Sequence, residues 1–293
     1  MSANAGLFAA IAGVGPAHSL GGLERLTGGQ RLPAHPAPPD TSELATALPG
    51  VSLRRIPHYA RMALLAAVRA LDDAGGRQEA DPHDTALVIG TAYGSAHMSM
   101  DFMDSILDDG PRLSSPTAFS HAVGNMGAGL LSLLLGMQGP CMTVSQFELS
   151  FAGAVHAATT LLHAERARRV LVGAVDEADT RFTRCCPQLQ KAGIAQTEGA
   201  VFLCLELPDP ALPSLRVRWE QGSPSPAFIS GSTRPGEDET RRHEHLYGHG
   251  PLAHALDALL ALHAVRTEPE RRLECLCTAG EHAAILEIRG VRA

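Results

Sequence analysis

The residues best placed to do chemistry lie in one stretch, Gly139 to Glu177, which reads GPCMTVSQFELSFAGAVHAATTLLHAERARRVLVGAVDE. Its pattern is a short apolar strand, a turn around Glu148, a helix, and a second apolar strand. A turn residue in that setting stands at a helix N-terminus, where unpaired N–H groups and the helix dipole favour negative charge. A cysteine there would have a lowered pKa and serve as a nucleophile. Glu148 suits the dipole equally well but is a weaker nucleophile. Covalent catalysis through this position is therefore not expected.

Two other groups of reactive side chains lead elsewhere. His243, His245, His249 and His254 flank a polar segment, HEHLYGH, whose spacing fits no common zinc-binding helix face and lacks the HExxH order. No metal and no cofactor are expected. The six cysteines contain no CxxC pair, so reduced thiols of a cytoplasmic protein are expected rather than disulfides. A net charge of −7 without a basic block argues against nucleic acid. The apolar windows are interrupted too early to span a membrane. The apolar N-terminus, MSANAGLFAAIAGVGP, has no basic leader and reads as a first strand with Gly13-Val14-Gly15 as its exit turn.

The elements that must position Glu148 follow from periodicity. Leu64, Leu65, Val68 and Leu71 repeat at helical spacing within Arg54 to Gly75. Thr85 to Gly90 (TALVIG) is a continuous apolar run, as in a strand covered on both faces. A helix is expected from Met98 to Gly110, another from Asn125 to Leu135, and a strand from Cys141 to Ser145. Small residues at Gly127, Ala128 and Gly129 allow close helix packing. Thr197 to Glu206 reads as a strand, and residues 221–245 as a long surface loop or a disordered stretch. Pro251 to Val265 is an amphipathic helix with proline at its start. Strands around Leu273 to Thr278 and Ala284 to Arg289 follow, joined by Ala279-Gly280-Glu281.

Several of these stretches carry a shared signature. Gly139, Pro140, Thr143, Val144 and Ser145, with ungapped spacing on to Gly173 and Asp176, resemble the nucleophile region of β-ketoacyl synthases of the thiolase-like fold. Ser115, Pro116, Phe119, Asn125, Gly127, Gly129 and Gly136 resemble the segment that precedes it, and Gly90-Thr91-Ala92-Tyr93-Gly94 a Gly-Thr-x-x-Gly turn of the same family. The resemblance implies an α/β, thiolase-like layered fold of helices and mixed sheets with a reduced second half. It implies a ketosynthase-like N-terminal half over residues 1–207, a loop-rich connector over 208–250, and a C-terminal helix plus hairpin over 251–293.

In this frame Glu148 occupies the place of the nucleophilic cysteine, and no catalytic residue is expected. Phe151 stands where the family has a small glycine, which would plug the pocket. No His-Gly-Thr motif occurs, and Gly248-His249-Gly250 is a distant echo of the family's second histidine motif. The resemblance is then to short chain-length factors of type II polyketide or aryl-polyene-type systems. These are implied to pair with a catalytic ketosynthase, to meet acyl carrier protein through that complex, and to shape the acyl tunnel. Phe119, Ala122, Val123, Gly124, Met126 and Phe151 would border the tunnel, and Asn125, Gly129, Cys141, Thr143 and Ser145 the subunit interface. A decarboxylase acting through Glu148 and a stand-alone acyl-binding scaffold are the alternatives.

Overall fold

The computed structural model describes residues 6–18, 37–76, 81–185, 198–221, 252–279 and 282–291. Eight strands form one sheet: β1 (Ala9–His18), β2 (Thr85–Gly90), β3 (Cys141–Val144), β4 (Arg169–Asp176), β5 (Gly199–Glu206), β6 (Ser214–Gln221), β7 (Arg272–Ala279) and β8 (His282–Arg289). Their spatial order is β3-β2-β4-β5-β1-β6-β8-β7. β2 runs parallel to both β3 and β4, while β5 is antiparallel to β4 and β1. The helices are α1 (His58–Asp73), α2 (Ala96–Asp109), α3 (Pro116–Ala122), α4 (Met126–Leu135), α5 (Ser150–His163), α6 (Thr180–Cys185) and α7 (Ala253–Thr267), with one further short turn at Leu44–Ala47.

Continuous apolar strands are stable here because both faces of the sheet are covered. In β5, Ala200, Phe202 and Cys204 join a core with α1 and α4, while Val201, Leu203 and Leu205 join another with α5 and α7. β2 is buried at every residue, as its unbroken apolar run requires. The second core extends through β6, β7 and β8 by way of Leu215, Cys275 and Leu286, so one apolar layer continues across the sheet. Among the described residues, no single helix is long and apolar enough to cross a membrane.

Three expectations need correction or addition. Gly13-Val14-Gly15 is not an exit turn: β1 continues to His18 and only slips register between Ile11 and Gly13. The glycines are there because α1 lies directly on the strand, and a Cβ at Gly13 or Gly15 would collide with the carbonyl oxygen of Ala70 or Ala66. The helix expected from Met98 starts at Ala96. Sequence reasoning also missed β6, which lies inside the stretch 208–250 expected as connector. The alternation of Leu215, Val217 and Trp219 with Arg216, Arg218 and Glu220 was its signal. The C-terminal helix and hairpin stand where periodicity put them. The loop expected beyond Gln221 lies outside the described residues, as do His243, His245 and His249.

Candidate functional site

β3 is the edge strand, and the chain leaves it through a single tight turn, Phe147–Leu149, that leads into α5 at Ser150. Ser150 builds the turn. Its Oγ accepts from the amide of Gln146 at 2.9 Å and shares its proton between the carbonyls of Phe147 at 2.6 Å and Thr91 at 3.0 Å. One hydroxyl thus ties the turn to itself and to the end of β2. Phe147 carries a positive φ of 48° as the chain reverses.

Glu148 stands in that turn and is half-buried. Its backbone carbonyl lies 2.7 Å from Nδ1 of His254, one residue into α7. A carbonyl only accepts, so His254 carries a proton on Nδ1 and donates it. The histidine therefore fastens the backbone of the turn rather than the Glu148 carboxylate. None of the thiols with a perturbed pKa is activated. Burial raises those of Cys141, Cys275 and Cys277, and raises that of Cys204 to about 12. Among the described residues, no three histidine, cysteine, aspartate or glutamate side chains converge as metal ligands.

A set of buried carboxylates stands beside the turn at the end of β4. Asp176 accepts from Thr91 Oγ1 at 2.9 Å and from the amides of Ala92 and Tyr93, each at 3.0 Å. Burial pushes its pKa up to about 7 in spite of those donors. Glu177 accepts from the amides of Tyr59 at 2.8 Å and His97 at 3.0 Å, which ties the first turns of α1 and α2 to the strand end. Burial raises the Glu177 pKa as well, opposed by the His97 amide and by the charges of His97 and His58. Burial also opposes ionisation of Glu198, but the hydrogen bond and charge of His58, 3.0 Å away, prevail and its pKa is lowered. Sequence reasoning picked out Asp176 alone of this group. His58 and Glu198 are 140 residues apart, and no local signal joins them.

The structure gathers most of the expected tunnel and interface positions on one side and leaves them uncovered. α2, α3, α4 and β3 follow one another in contact. Phe119 is 54% exposed and Val123 41%, while Gly124, Asn125 and Gly129 are exposed and Ala122 and Met126 half-buried. On the edge strand and just beyond it, Cys141 and Ser145 are exposed and Thr143 is half-buried. Phe151 is placed apart from these residues. It is 1% exposed and belongs to the core beneath the turn. Of the ten exposed large apolar side chains among the described residues, eight fall between Met103 and Phe147. Such clustering on one surface is the mark of an interaction face rather than of scattered exposure. Sequence reasoning did not single out Phe147, and nothing local in the sequence announces its backbone conformation.

Comparison with known proteins agrees with this architecture. Residues 29–200 match the family model of the β-ketoacyl synthase N-terminal domain. The chloroplastic 3-oxoacyl-[acyl-carrier-protein] synthase I of Hordeum vulgare is 24% identical over 183 residues, which are 54% of this chain and 40% of that protein. The chain thus spans less than half the length of that curated relative. Among solved structures, the ishigamide ketosynthase/chain length factor superposes with a TM-score of 0.74 at 16% identity, over 97% of this chain and 99% of the other. A ketosynthase structure solved in complex with its type II polyketide synthase acyl-carrier protein and bound to the hexaketide gives a TM-score of 0.75 at 16% identity, over 98% of this chain and 100% of the other. At such identity the likeness establishes the fold, and the fold is the thiolase-like α/β arrangement.

Proposed function

The chain belongs to the β-ketoacyl synthase family, and from that premise we propose that it is a non-catalytic subunit of the chain-length-factor type. It pairs with a catalytic ketosynthase and lends walls to the acyl tunnel of that partner. The observation that carries the reading is Glu148 on the turn between β3 and α5, the position at which the sequence resemblance puts the family's nucleophile. A carboxylate there cannot hold and pass on an acyl group as a thiolate does. The turn is nevertheless built with full care, through Ser150 and His254, which fits a surface kept for shape rather than for reaction.

The uncovered apolar side supports pairing. A chain that leaves Leu107 75% exposed, and Leu133 76% exposed on the helix that packs against an edge strand, gains by covering them. Stable pairs bury about 1,200–2,000 Å² in total, and α2, α3, α4 and β3 together offer a face suited to that scale. Phe119, Ala122, Val123, Gly124 and Met126 lie at or beside the bend between α3 and α4. A partner lying across that bend would turn them into one wall of a channel. Asn125, Gly129, Cys141, Thr143 and Ser145 then form its contacts, while Phe151 fills the space behind the turn. Acyl carrier protein reaches this chain through the ketosynthase complex. A cytoplasmic location suits its thiols, which are free among the described residues.

Reconstitution tests the reading. A cognate ketosynthase with carrier protein and malonyl units is assayed with and without this chain, and products are sized by mass spectrometry. The expected result is products of defined length only when the chain is present. Identical product distributions with and without it would overturn the proposal.

A further inference from the structure

We infer that Phe147 is the anchor with which this chain seats in an apolar pocket of its ketosynthase partner, an inference that rests on the pairing proposed above. Phe147 is one of two non-glycine residues with positive φ among those described, the other being Glu165. An aromatic side chain is rare in that region of backbone space, because its Cβ crowds the following carbonyl. Phe147 is also 63% exposed. Taken alone, the chain gains neither backbone ease nor burial from a phenylalanine here, and glycine or asparagine would make the turn with less strain. An unfavourable residue in a well-tied turn points to a use outside the free chain.

The residue is held at its backbone and meets one aromatic neighbour. Ser150 holds the Phe147 carbonyl, Tyr93 meets the ring edge-on at 6.5 Å, and Tyr93 packs in turn on Phe182 at 4.9 Å. A pre-ordered aromatic loses little entropy on binding and brings much apolar area, which is how interface anchors work. The charge carried by the run from α2 to the turn bears on the occupant. Between Asp101 and Glu148 the chain has five carboxylates and a single guanidinium, Arg112. Arg181 reaches across to Asp101 and Asp104, each at 2.8 Å, and so offsets part of that charge. Asp108 and Asp109, at the C-terminal end of α2, are exposed. A second copy would bring like charges together, which disfavours self-pairing. The complementary surface is an apolar pocket fringed by lysine or arginine, on a different subunit.

The test uses the full chain with Phe147→Gly and Phe147→Asn, two residues that tolerate positive φ. Each is titrated against separately purified ketosynthase and melted alone. The expected result is a Kd at least tenfold weaker, with a thermal midpoint no lower than that of the wild type. Wild type that binds tightly, with both variants within twofold of it, would overturn the anchor while leaving the pairing intact. Wild type that shows no binding to the ketosynthase would remove the pairing itself. A wild-type homodimer dispersed by Phe147→Gly would overturn the choice of partner. Midpoints that fall in both variants would make Phe147 a structural residue and overturn the inference.

Discussion

Leu131 and Leu133 stand two residues apart on α4, and changing them should break two different things. Leu131 is fully buried, whereas Leu133 is 76% exposed. Leu131→Ala opens a cavity in the core shared with α1 and should cost about 2–5 kcal/mol of folding stability. Leu133→Glu should leave the free chain within about 0.5 kcal/mol of wild type, since it alters an exposed site on a helix. In the heterodimer the balance reverses. Covering a leucine is worth about 1.5–3 kcal/mol, and enclosing a polar group without a partner costs about 1–3 kcal/mol more. Together these amount to roughly 4 kcal/mol, close to a thousandfold in Kd. Urea denaturation of each purified chain measures the first effect, and titration against immobilised ketosynthase measures the second. A Leu133→Glu chain that binds within threefold of wild type would refute the assignment of α4 to the partner face. One that unfolds at markedly lower urea would refute its reading as free surface.

Restoring the family's thiol by Glu148→Cys should yield no condensation, because the sequence has no His-Gly-Thr motif to supply a catalytic histidine; turnover by the isolated variant would contradict this. In the reconstituted pair, Val123→Phe should shorten the products and Phe119→Ala should lengthen or blur them. Overfilling a packed channel costs about 1–3 kcal/mol per added cycle, and an unaltered length distribution from a well-assembled Val123→Phe pair would count against the tunnel wall. Asp176 predicts a pH dependence of stability. Burial raises its pKa in the folded chain to about 7 from the ordinary 3.8. Its contribution is therefore complete below about pH 4 and is lost as pH rises through about 7, by up to ~1.4 kcal/mol per unit. Asp176→Asn should flatten urea midpoints measured between pH 4 and 8, and an unchanged slope would place the proton elsewhere.

Much of the scaffold was legible because it is local. TALVIG gave β2 to the residue, and the spacing of Leu64, Leu65, Val68 and Leu71 placed α1, since apolar periodicity is the direct imprint of burial. The glycines of β1 were misread because a glycine that makes a turn and one that admits a helix look alike in a sequence. β6 was hidden among proline-rich neighbours in spite of its alternation. The candidate site was legible only at its centre. Glu148 stands on the turn that its flanking pattern implied, but the residues that hold that turn come from afar. His254 reaches Glu148 across 106 residues and Ser150 bonds to Thr91 across 59, pairings that only the folded chain creates. Phe151 followed the same rule in reverse. Its family position suggested the pocket, whereas its neighbours in space make it core.

On the proposed reading, this chain is half of a pair and does no acyl chemistry itself. Light scattering on the co-expressed, co-purified chain and ketosynthase addresses that claim most directly, with intact-mass analysis of both subunits after exposure to acyl carrier thioester. The expected result is a one-to-one heterodimer in which acyl mass appears on the ketosynthase alone. A monodisperse monomer indifferent to the ketosynthase, or acyl mass on this chain, would contradict it.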